Sequence, residues 1–369
     1  MSGRWPRWLW FLADLLRPPR FDAPLLIAVV LLMIVGLLTL YSASGFEPAM
    51  VAKQGSRFLL GFALLWLLAR MPPHQLRYWT PWLYTFALGL LVLTALIGEG
   101  RGAHRWLDFK FVRFQPSELM KLALPMMLSW YFHPRVLPPS WKHLAVAAVL
   151  LGVPAALVAE QPDLGTALLI AGAGGFVIFL AGLSWLRIGL LVGLVVVTAP
   201  LAWQFMHEYQ RERVRVMLDP EADPRGSGWH IIQSKIAVGS GGLEGKGFGH
   251  GTQSQLEFLP ERHTDFILAV YAEEFGWLGV LALFALYAFI IGRCLWIAAI
   301  ARDTFGRLLA GSLGLSFSVY VVVNSGMIAG LLPVVGVPLP LISYGGTSAV
   351  SLLASFGILF SIYGHRKSG

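Results

Sequence analysis

The sequence is poor in charged residues and almost without cysteine. Only 13% of its 369 residues are charged, against about 25% in soluble domains. Its one cysteine, Cys294, excludes a disulfide framework and a cysteine-based metal site. The net charge of +8 suits an anionic surface or substrate, but no soluble basic domain is present, which excludes nucleic acid as a partner. Hydrophobic residues make up 56% of the chain, a composition that indicates a membrane protein.

Long apolar runs predict an all-α polytopic membrane protein with about ten transmembrane helices. A spanning helix needs roughly 20 largely apolar residues, and ten stretches approach this length. They lie near 24–43, 55–70, 79–97, 117–133, 143–159, 166–183, 187–205, 277–298, 308–330 and 345–363. Residues 23–369 are therefore expected to form one membrane domain, with a large loop at 206–264 between the seventh and eighth spans.

The distribution of lysine and arginine predicts the orientation. If the N-terminus is cytoplasmic, segments on that side carry 14 of the 28 basic residues, whereas the short outer loops carry six. Both termini are therefore expected in the cytoplasm and the 206–264 loop outside. Residues 1–22 contain a Trp- and Arg-rich stretch that is too short to span, and they predict a cytoplasmic interfacial segment.

Two outer stretches depart from ordinary loops. The outer loop within segment 98–121 carries four basic residues against the usual bias: Arg101, Arg105, Lys110 and Arg113. A solvated basic loop and an anion site both fit this pattern, since Arg and Lys bind phosphate oxygens well. Segment 331–348 has three prolines and a Gly-Gly pair, which predicts irregular backbone that is buried in protein or lines a cavity.

Three ionisable residues near the outer face are candidates for a site. Glu118 and Lys121 lie three residues apart in a predicted span, on one helix face. Charges inside a span cost on the order of 2.5–3.5 kcal/mol, so the two face each other or a cavity, and we favour the cavity. Asp163, in the short link AEQPDLGT, fits a turn or helix cap as well as a functional carboxylate.

The stretch ERHTDFILAV at 261–270 poses the same choice for Asp265, between a helix cap and a catalytic carboxylate. The apolar run after it ends at Glu273, which is too short for a crossing, so 266–276 predicts an interfacial or re-entrant piece. A carboxylate beside an apolar wall suits glycosyl transfer from a lipid diphosphate. It would take the proton of the attacking sugar hydroxyl, while cations stabilise the leaving diphosphate.

Long motifs in the chain resemble the SEDS family (shape, elongation, division and sporulation). They include GAHRWLDF, RFQPSELMK, AEQPDLGT, QLEFLPERHTDF and PVVGVPLPLISYGGTS, and Arg262 in the fourth is typical of the elongation branch rather than the division branch. The resemblance implies a peptidoglycan glycosyltransferase that polymerises lipid II into β-1,4-linked glycan strands during cell elongation, at the outer face of the bacterial inner membrane, with release of undecaprenyl diphosphate. The family's essential aspartate, the base for the acceptor hydroxyl, falls on Asp265. Its cavity charges fall on Glu118, Lys121 and Asp163.

The resemblance also implies partners. These are lipid II, undecaprenyl-linked glycan, a class B penicillin-binding transpeptidase and elongation-complex proteins including the actin-like MreB. The remaining substrate-binding candidates are Arg101, Arg105, Lys110, Arg113, Arg262, His263 and Ser343. A divalent ion, Mg²⁺ or Mn²⁺, fits at the diphosphate, although no metal-ligand spacing indicates one.

A lipid II flippase is the competing hypothesis, because ten spans around a charged cavity would also serve transport. Transporters commonly have broken helices near the bilayer midplane and internal repeats. In this sequence the irregular segments gather at the outer face and no repeat is apparent, which favours the enzyme.

Overall fold

The computed structural model describes residues 19–98, 105–108, 113–223, 226–256, 259 and 261–366, and in them the chain is almost entirely helical. The first seven helices are α1 (Ala23–Ala43), α2 (Pro48–Arg70), α3 (Pro73–Ile97), α4 (Pro116–Phe132), α5 (Trp141–Glu160), α6 (Leu164–Leu180) and α7 (Trp185–Phe205). They are followed by α8 (Glu208–Leu218), α9 (Ser227–Ser240), α10 (Thr252–Gln255), α11 (Ile267–Ile300), α12 (Thr304–Ile328) and α13 (Thr347–Gly364). Two short antiparallel strands, β1 (Leu107–Asp108) and β2 (Arg113–Phe114), lie between α3 and α4.

By length and composition, seven helices in the described part of the chain are able to cross a membrane: α1, α2, α3, α5, α11, α12 and α13. A further helix, α6, is apolar but shorter. The predicted all-α, multi-pass class is confirmed. Each of the ten predicted stretches coincides with one helix, while the number of crossings and the position of the outer loop stay predictions.

Some helices begin well before their apolar runs. The runs were expected near 55 and 79, whereas α2 begins at Pro48 and α3 at Pro73. Proline suits the first helical position because its φ is already helical and its missing N–H would have had no partner there. These first turns therefore form helix from sequence that lies before the apolar runs.

Close packing of α13 on α2 depends on small residues. A Cβ at Gly61 would lie 2.5 Å from Leu353 Cδ1, and one at Gly357 would lie 2.8 Å from the Cα of Leu65. Glycine lets the two backbones approach where lipid supplies no hydrophobic drive for helix association. The irregular segment before α13 is anchored from α11, where the buried Tyr287 hydroxyl donates to the carbonyl of Pro340 at 2.7 Å.

The long helix α11 is broken at Gly276, whose φ is 63° and ψ is −166°. Backbone groups around the break pair with the glycine-rich loop after α9. The bonds run from Lys246 N to Glu273 O, Gly247 N to Glu274 O, Trp277 N to Gly242 O and Leu278 N to Leu243 O, at 2.9–3.1 Å. The piece before Trp277 is thus a separate helical segment, in agreement with the prediction over 266–276. Its interfacial position stays a prediction.

The described parts of the 206–264 loop form an ordered layer on the helix bundle. The Ser234 hydroxyl on α9 donates to the carbonyl of Ile328 at 3.0 Å. The His230 ring stacks on Phe266, with centroids 5.7 Å apart. This layer therefore contacts the C-terminal end of α12 and the turn that leads into α11.

Candidate active site

The Asp265 turn, residues 261–266, is fixed by the irregular segment before α13. The N–H of Tyr344 donates to the carbonyl of His263 at 2.8 Å. The buried Ser343 hydroxyl donates to the carbonyl of Thr264 at 2.6 Å and accepts from the N–H of Leu339 at 2.8 Å. Two segments that are far apart in sequence thus form one rigid unit around the candidate base.

Asn324 on α12 is a second anchor for the turn. Its fully buried side-chain amide donates to the carbonyl of Asp265 at 2.9 Å and to the carbonyl of Val337 at 2.8 Å. Buried carbonyls that lose a donor are costly. Asn324 therefore holds the Asp265 backbone against the irregular segment before α13, residues 333–346.

The Asp265 carboxylate does not cap a helix. Phe266 is the N-cap of α11, and no side chain caps that helix. Asp265 is half-buried, and a Cβ at Gly336 would lie 3.6 Å from its Oδ2. Among the described residues, no hydrogen bond reaches this carboxylate. Burial, with the nearby Glu261 charge, raises the pKa of Asp265 to about 6, while the Arg213 charge acts in the opposite direction.

A cavity of about 890 Å³ lies between α2, β2, α4 and α13. Its apolar lining includes Leu60, Leu64, Leu119, Leu122, Val350 and Ala354. Its polar lining includes Arg57, Arg113, Glu118 and Thr347. Tyr344 also lines the cavity and carries the Arg57 guanidinium 4.4 Å from its ring centroid. Because the Tyr344 N–H bonds the carbonyl of His263, one residue joins the cavity wall to the turn that carries Asp265.

Glu118 and Lys121 face each other and also face a cavity, the two possibilities that their spacing allowed. Lys121 Nζ lies 2.7 Å from Glu118 Oε1, and the Ser351 hydroxyl on α13 donates to the other carboxylate oxygen at 2.7 Å. Glu118 also lines the large cavity. Lys121 lines a separate small one with Tyr320, whose ring centroid is 5.3 Å from Nζ. The pair therefore neutralises itself and forms part of a cavity wall.

Asp163 has a clear structural role. Its carboxylate accepts from the N–H of Thr166 at 3.2 Å as the N-cap of α6, and from the Gln115 side-chain amide at 3.2 Å. Arg105 holds the same link, since its guanidinium donates to the carbonyls of Gln161 (3.1 Å) and Pro162. Arg105 is thus engaged by the backbone rather than directed at the large cavity.

The other predicted residues fall in different places. Arg101 and Lys110 lie outside the described residues. Arg113 lines the large cavity. Arg262 and His263 belong to the Asp265 turn, and Ser343 is a buried positioning residue, not part of the lining given above.

Three residues of this region were not identified as candidates from the sequence. Arg57 is one of the six basic residues of the short outer loops, and Asn324 looks like an ordinary polar residue in an apolar run. Arg213 sits in the run QRERVRV, where arginines two apart must point to different faces of a helix. That alternation was a usable signal for Arg213, whereas nothing local marks Arg57 or Asn324.

Among the described residues, no three His, Cys, Asp or Glu side chains are grouped to hold a metal ion. The described residues therefore include no group of side chains of these types that would bind a metal ion. The divalent ion at the diphosphate stays an untested prediction.

Comparison with known families decides the assignment. A model of the FtsW/RodA/SpoVE family of cell cycle proteins matches residues 22–368. The chain belongs to this family. It is 53% identical over 348 residues to the peptidoglycan glycosyltransferase MrdB of Escherichia coli K12, covering 94% of both chains. It is 37% identical to the probable peptidoglycan glycosyltransferase FtsW of Trichlorobacter lovleyi, covering 95% of this chain and 96% of the other.

Solved structures of FtsW/RodA/SpoVE type agree with the fold. The rod shape determining protein RodA of Thermus thermophilus is similar with a TM-score of 0.72 and 30% identity, over 95% of this chain and 98% of that one. A chain of a peptidoglycan synthase complex, described as coordinating polymerization and crosslinking, is similar with a TM-score of 0.81 and 32% identity, over 95% and 99%. The predicted SEDS membership is confirmed, and the named relatives are peptidoglycan glycosyltransferases, as expected.

Proposed function

We propose that the chain is a peptidoglycan glycosyltransferase that polymerises lipid II into glycan strands during cell elongation and releases undecaprenyl diphosphate. The observation that carries the proposal is the Asp265 carboxylate. It is half-buried, receives no hydrogen bond within the described residues and is held from two sides through its own backbone and that of its turn. The relatives named as peptidoglycan glycosyltransferases support the same activity.

The proposed reaction follows from the state of this carboxylate. Asp265 takes the proton of the acceptor hydroxyl as that oxygen bonds to the donor sugar carbon. The bond between this carbon and the diphosphate oxygen breaks, and the diphosphate leaves with the electron pair. A pKa of about 6 leaves most of the base deprotonated near neutral pH, yet makes it a stronger base than an ordinary aspartate.

The large cavity supports a lipid-linked substrate. Its apolar residues suit a polyprenyl chain, whereas Arg57 and Arg113 supply positive charge for an anionic head group. The wall that contains Tyr344 connects this cavity to the Asp265 turn. Substrate bound there would therefore be near a base held in a fixed position.

The proposal also includes location and partners. The protein is proposed to lie in a bacterial inner membrane with both termini in the cytoplasm. In that orientation the Asp265 turn lies at the outer face. A class B penicillin-binding transpeptidase is the proposed partner, since a similar solved chain comes from a complex of polymerization and crosslinking. Association with MreB and other elongation proteins is an expectation from the family resemblance.

Polymerisation of lipid II by purified protein tests the proposal, with Asp265→Asn as the variant. This change keeps the shape of the side chain, and no helix cap is lost with it. General-base catalysis typically contributes 10²–10⁴-fold, so we expect a loss of at least about 100-fold in polymerisation rate. Wild-type rates from folded Asp265→Asn protein would reject the assigned base.

Asp303→Asn is a matched control. Asp303 caps α12 at the end opposite Asn324, where its carboxylate accepts from the N–H of Gly306 at 2.9 Å. Asparagine caps helices about as well as aspartate, so this variant should polymerise normally. If the wild type moves lipid II across liposome membranes without forming polymer, the flippase hypothesis replaces the proposed function.

A further inference from the structure

Helix α8 carries three arginines, and two of them are neutralised on its exposed side. Arg211 lies 3.7 Å from Glu208, and Arg215 lies 2.6 Å from Glu208 and 3.4 Å from Glu212. Arg211 and Arg215 are four residues apart and therefore share a helix face. The side chains of Glu208 and Arg215 are 68% and 53% exposed, which places this face in solvent.

Arg213 lies on the opposite, inward face of α8. It is three residues from Gln210 and three from Val216, which are 7% and 2% exposed, and such residues are neighbours on a helix. Its guanidinium is 5.8 Å from the ring centroid of Tyr209, one turn earlier. In the part of the chain that is described, Arg213 makes no ion pair with a carboxylate. Its guanidinium donors are therefore available to a bound anion.

Helix α9 connects α8 to the Asp265 turn. Helix α8 packs against α9, and His230 of α9 stacks on Phe266, the residue after Asp265. The charge of Arg213 also acts on the Asp265 carboxylate, where it opposes the rise in pKa that burial causes. Arg213 is therefore a cation whose charge acts on the candidate base and which, among the described residues, forms no salt bridge.

The chemistry of the site defines what such a cation would bind. The base and the leaving group act on the same bond-forming step, so the diphosphate must lie within about one sugar ring of Asp265. A guanidinium presents paired N–H donors that match phosphate oxygens, and it stabilises the charge that develops as the diphosphate leaves. We propose that Arg213 binds the diphosphate of the lipid-linked donor beside Asp265, an assignment that rests on the proposed function.

Binding of short lipids separates this role from tail binding. Geranylgeranyl diphosphate and geranylgeraniol share one tail, and their affinities for the detergent-purified protein can be measured by thermal shift. We expect Arg213→Gln to weaken diphosphate binding by on the order of 10- to 100-fold and to leave alcohol binding unchanged. The matched control, Arg215→Gln, removes an exposed and paired arginine from the same helix and should bind both lipids normally. Equal diphosphate affinity in the two variants would overturn the assignment.

Kinetics distinguish binding from a role limited to the pKa of Asp265. A diphosphate-binding Arg213 predicts a higher KM for lipid II in Arg213→Gln, with partial recovery in Arg213→Lys, which keeps the charge but loses the paired donors. A shift in the pH profile with unchanged KM and unchanged lipid affinity would overturn the proposal. Should Arg213→Gln unfold, Arg213→Lys alone decides the question through the same binding comparison.

The two proposals fail in different ways. If Asp265→Asn polymerises normally while Arg213→Gln still loses diphosphate binding, the proposed base is wrong but the diphosphate site stands. If Asp265→Asn is inactive and Arg213→Gln behaves as wild type in both assays, the enzyme stands and the Arg213 assignment falls.

Discussion

The side-chain amide of Asn324 and the backbone carbonyl of Asp265 are joined by a 2.9 Å hydrogen bond between α12 and the Asp265 turn. The same amide bonds Val337 at 2.8 Å, so one buried side chain sets the distance between the turn and segment 333–346. Nothing in this arrangement touches the carboxylate itself. Asn324 is thus a positioning residue.

Replacing Asn324 by Leu should leave two buried carbonyls without a donor, at a cost of about 1–3 kcal/mol each. We expect a lower melting temperature and a polymerisation rate reduced at least about tenfold, with little change in KM for lipid II. The neighbouring Ser325 offers the control, since among the described residues its hydroxyl bonds only the carbonyl of Val321 in its own helix. Ser325→Ala should match the wild type, and equal rates in both variants would show that the Asp265 backbone needs no anchor.

The pH dependence of polymerisation should follow the Asp265 carboxylate. Its pKa is raised by burial to about 6, and only the deprotonated form can accept a proton. The rate should therefore rise through pH 6 and level off above pH 7, with about a tenfold difference between pH 5 and pH 7.5. Initial rates of lipid II polymerisation measure this. A flat profile between pH 5 and pH 7.5 would contradict the role of Asp265 as base.

The same raised pKa makes a prediction for stability. A buried acid is most stable when neutral, so this contribution is present below the unfolded pKa and is lost as pH rises through about 6. Asp265→Asn removes the charge and should raise the stability near pH 7.5 by on the order of 1 kcal/mol. Its advantage over the wild type should disappear near pH 4, where both side chains are neutral. Thermal melts at the two pH values check the sign.

Hydropathy predicted the helices well but not the site. The apolar runs near 277–298 and 308–330 overlap α11 and α12 over nearly their whole length, because burial in lipid requires apolar length whatever the neighbours are. The partners of Asp265 are a different matter, since Asn324 and Ser343 reach it through contacts between distant segments. Such contacts depend on how distant segments pack together, and the residues next to Asp265 in the sequence do not reveal that packing. For Asp163 the local sequence left a cap and a functional carboxylate open, and the structure shows the cap.

Glu118 and Lys121 should be stable only as a pair. Their side chains are 6% and 11% exposed, so Lys121→Met leaves a buried carboxylate with Ser351 as its remaining partner. Breaking a buried pair costs about 3–5 kcal/mol, whereas replacing both charges is often far less costly. We expect a large fall in melting temperature for Lys121→Met and recovery of most of it in the Glu118→Gln, Lys121→Met double variant. Full stability of the single variant would show that the two charges are independently solvated.

Gly276 should tolerate no side chain, because the break in α11 uses a conformation reserved for glycine. Its φ of 63° and ψ of −166° lie in a region that costs other residues on the order of 1–3 kcal/mol. A Cβ would also lie 2.3 Å from the backbone nitrogen of Gly245, and so it would push away the docked glycine loop. Gly276→Ala should therefore lower the melting temperature and expose that loop to proteolysis. Gly292→Ala is the control within the same helix, where a Cβ meets nothing within 4 Å. It should leave stability unchanged or higher, and equal behaviour of the two variants would show that the break does not hold the loop.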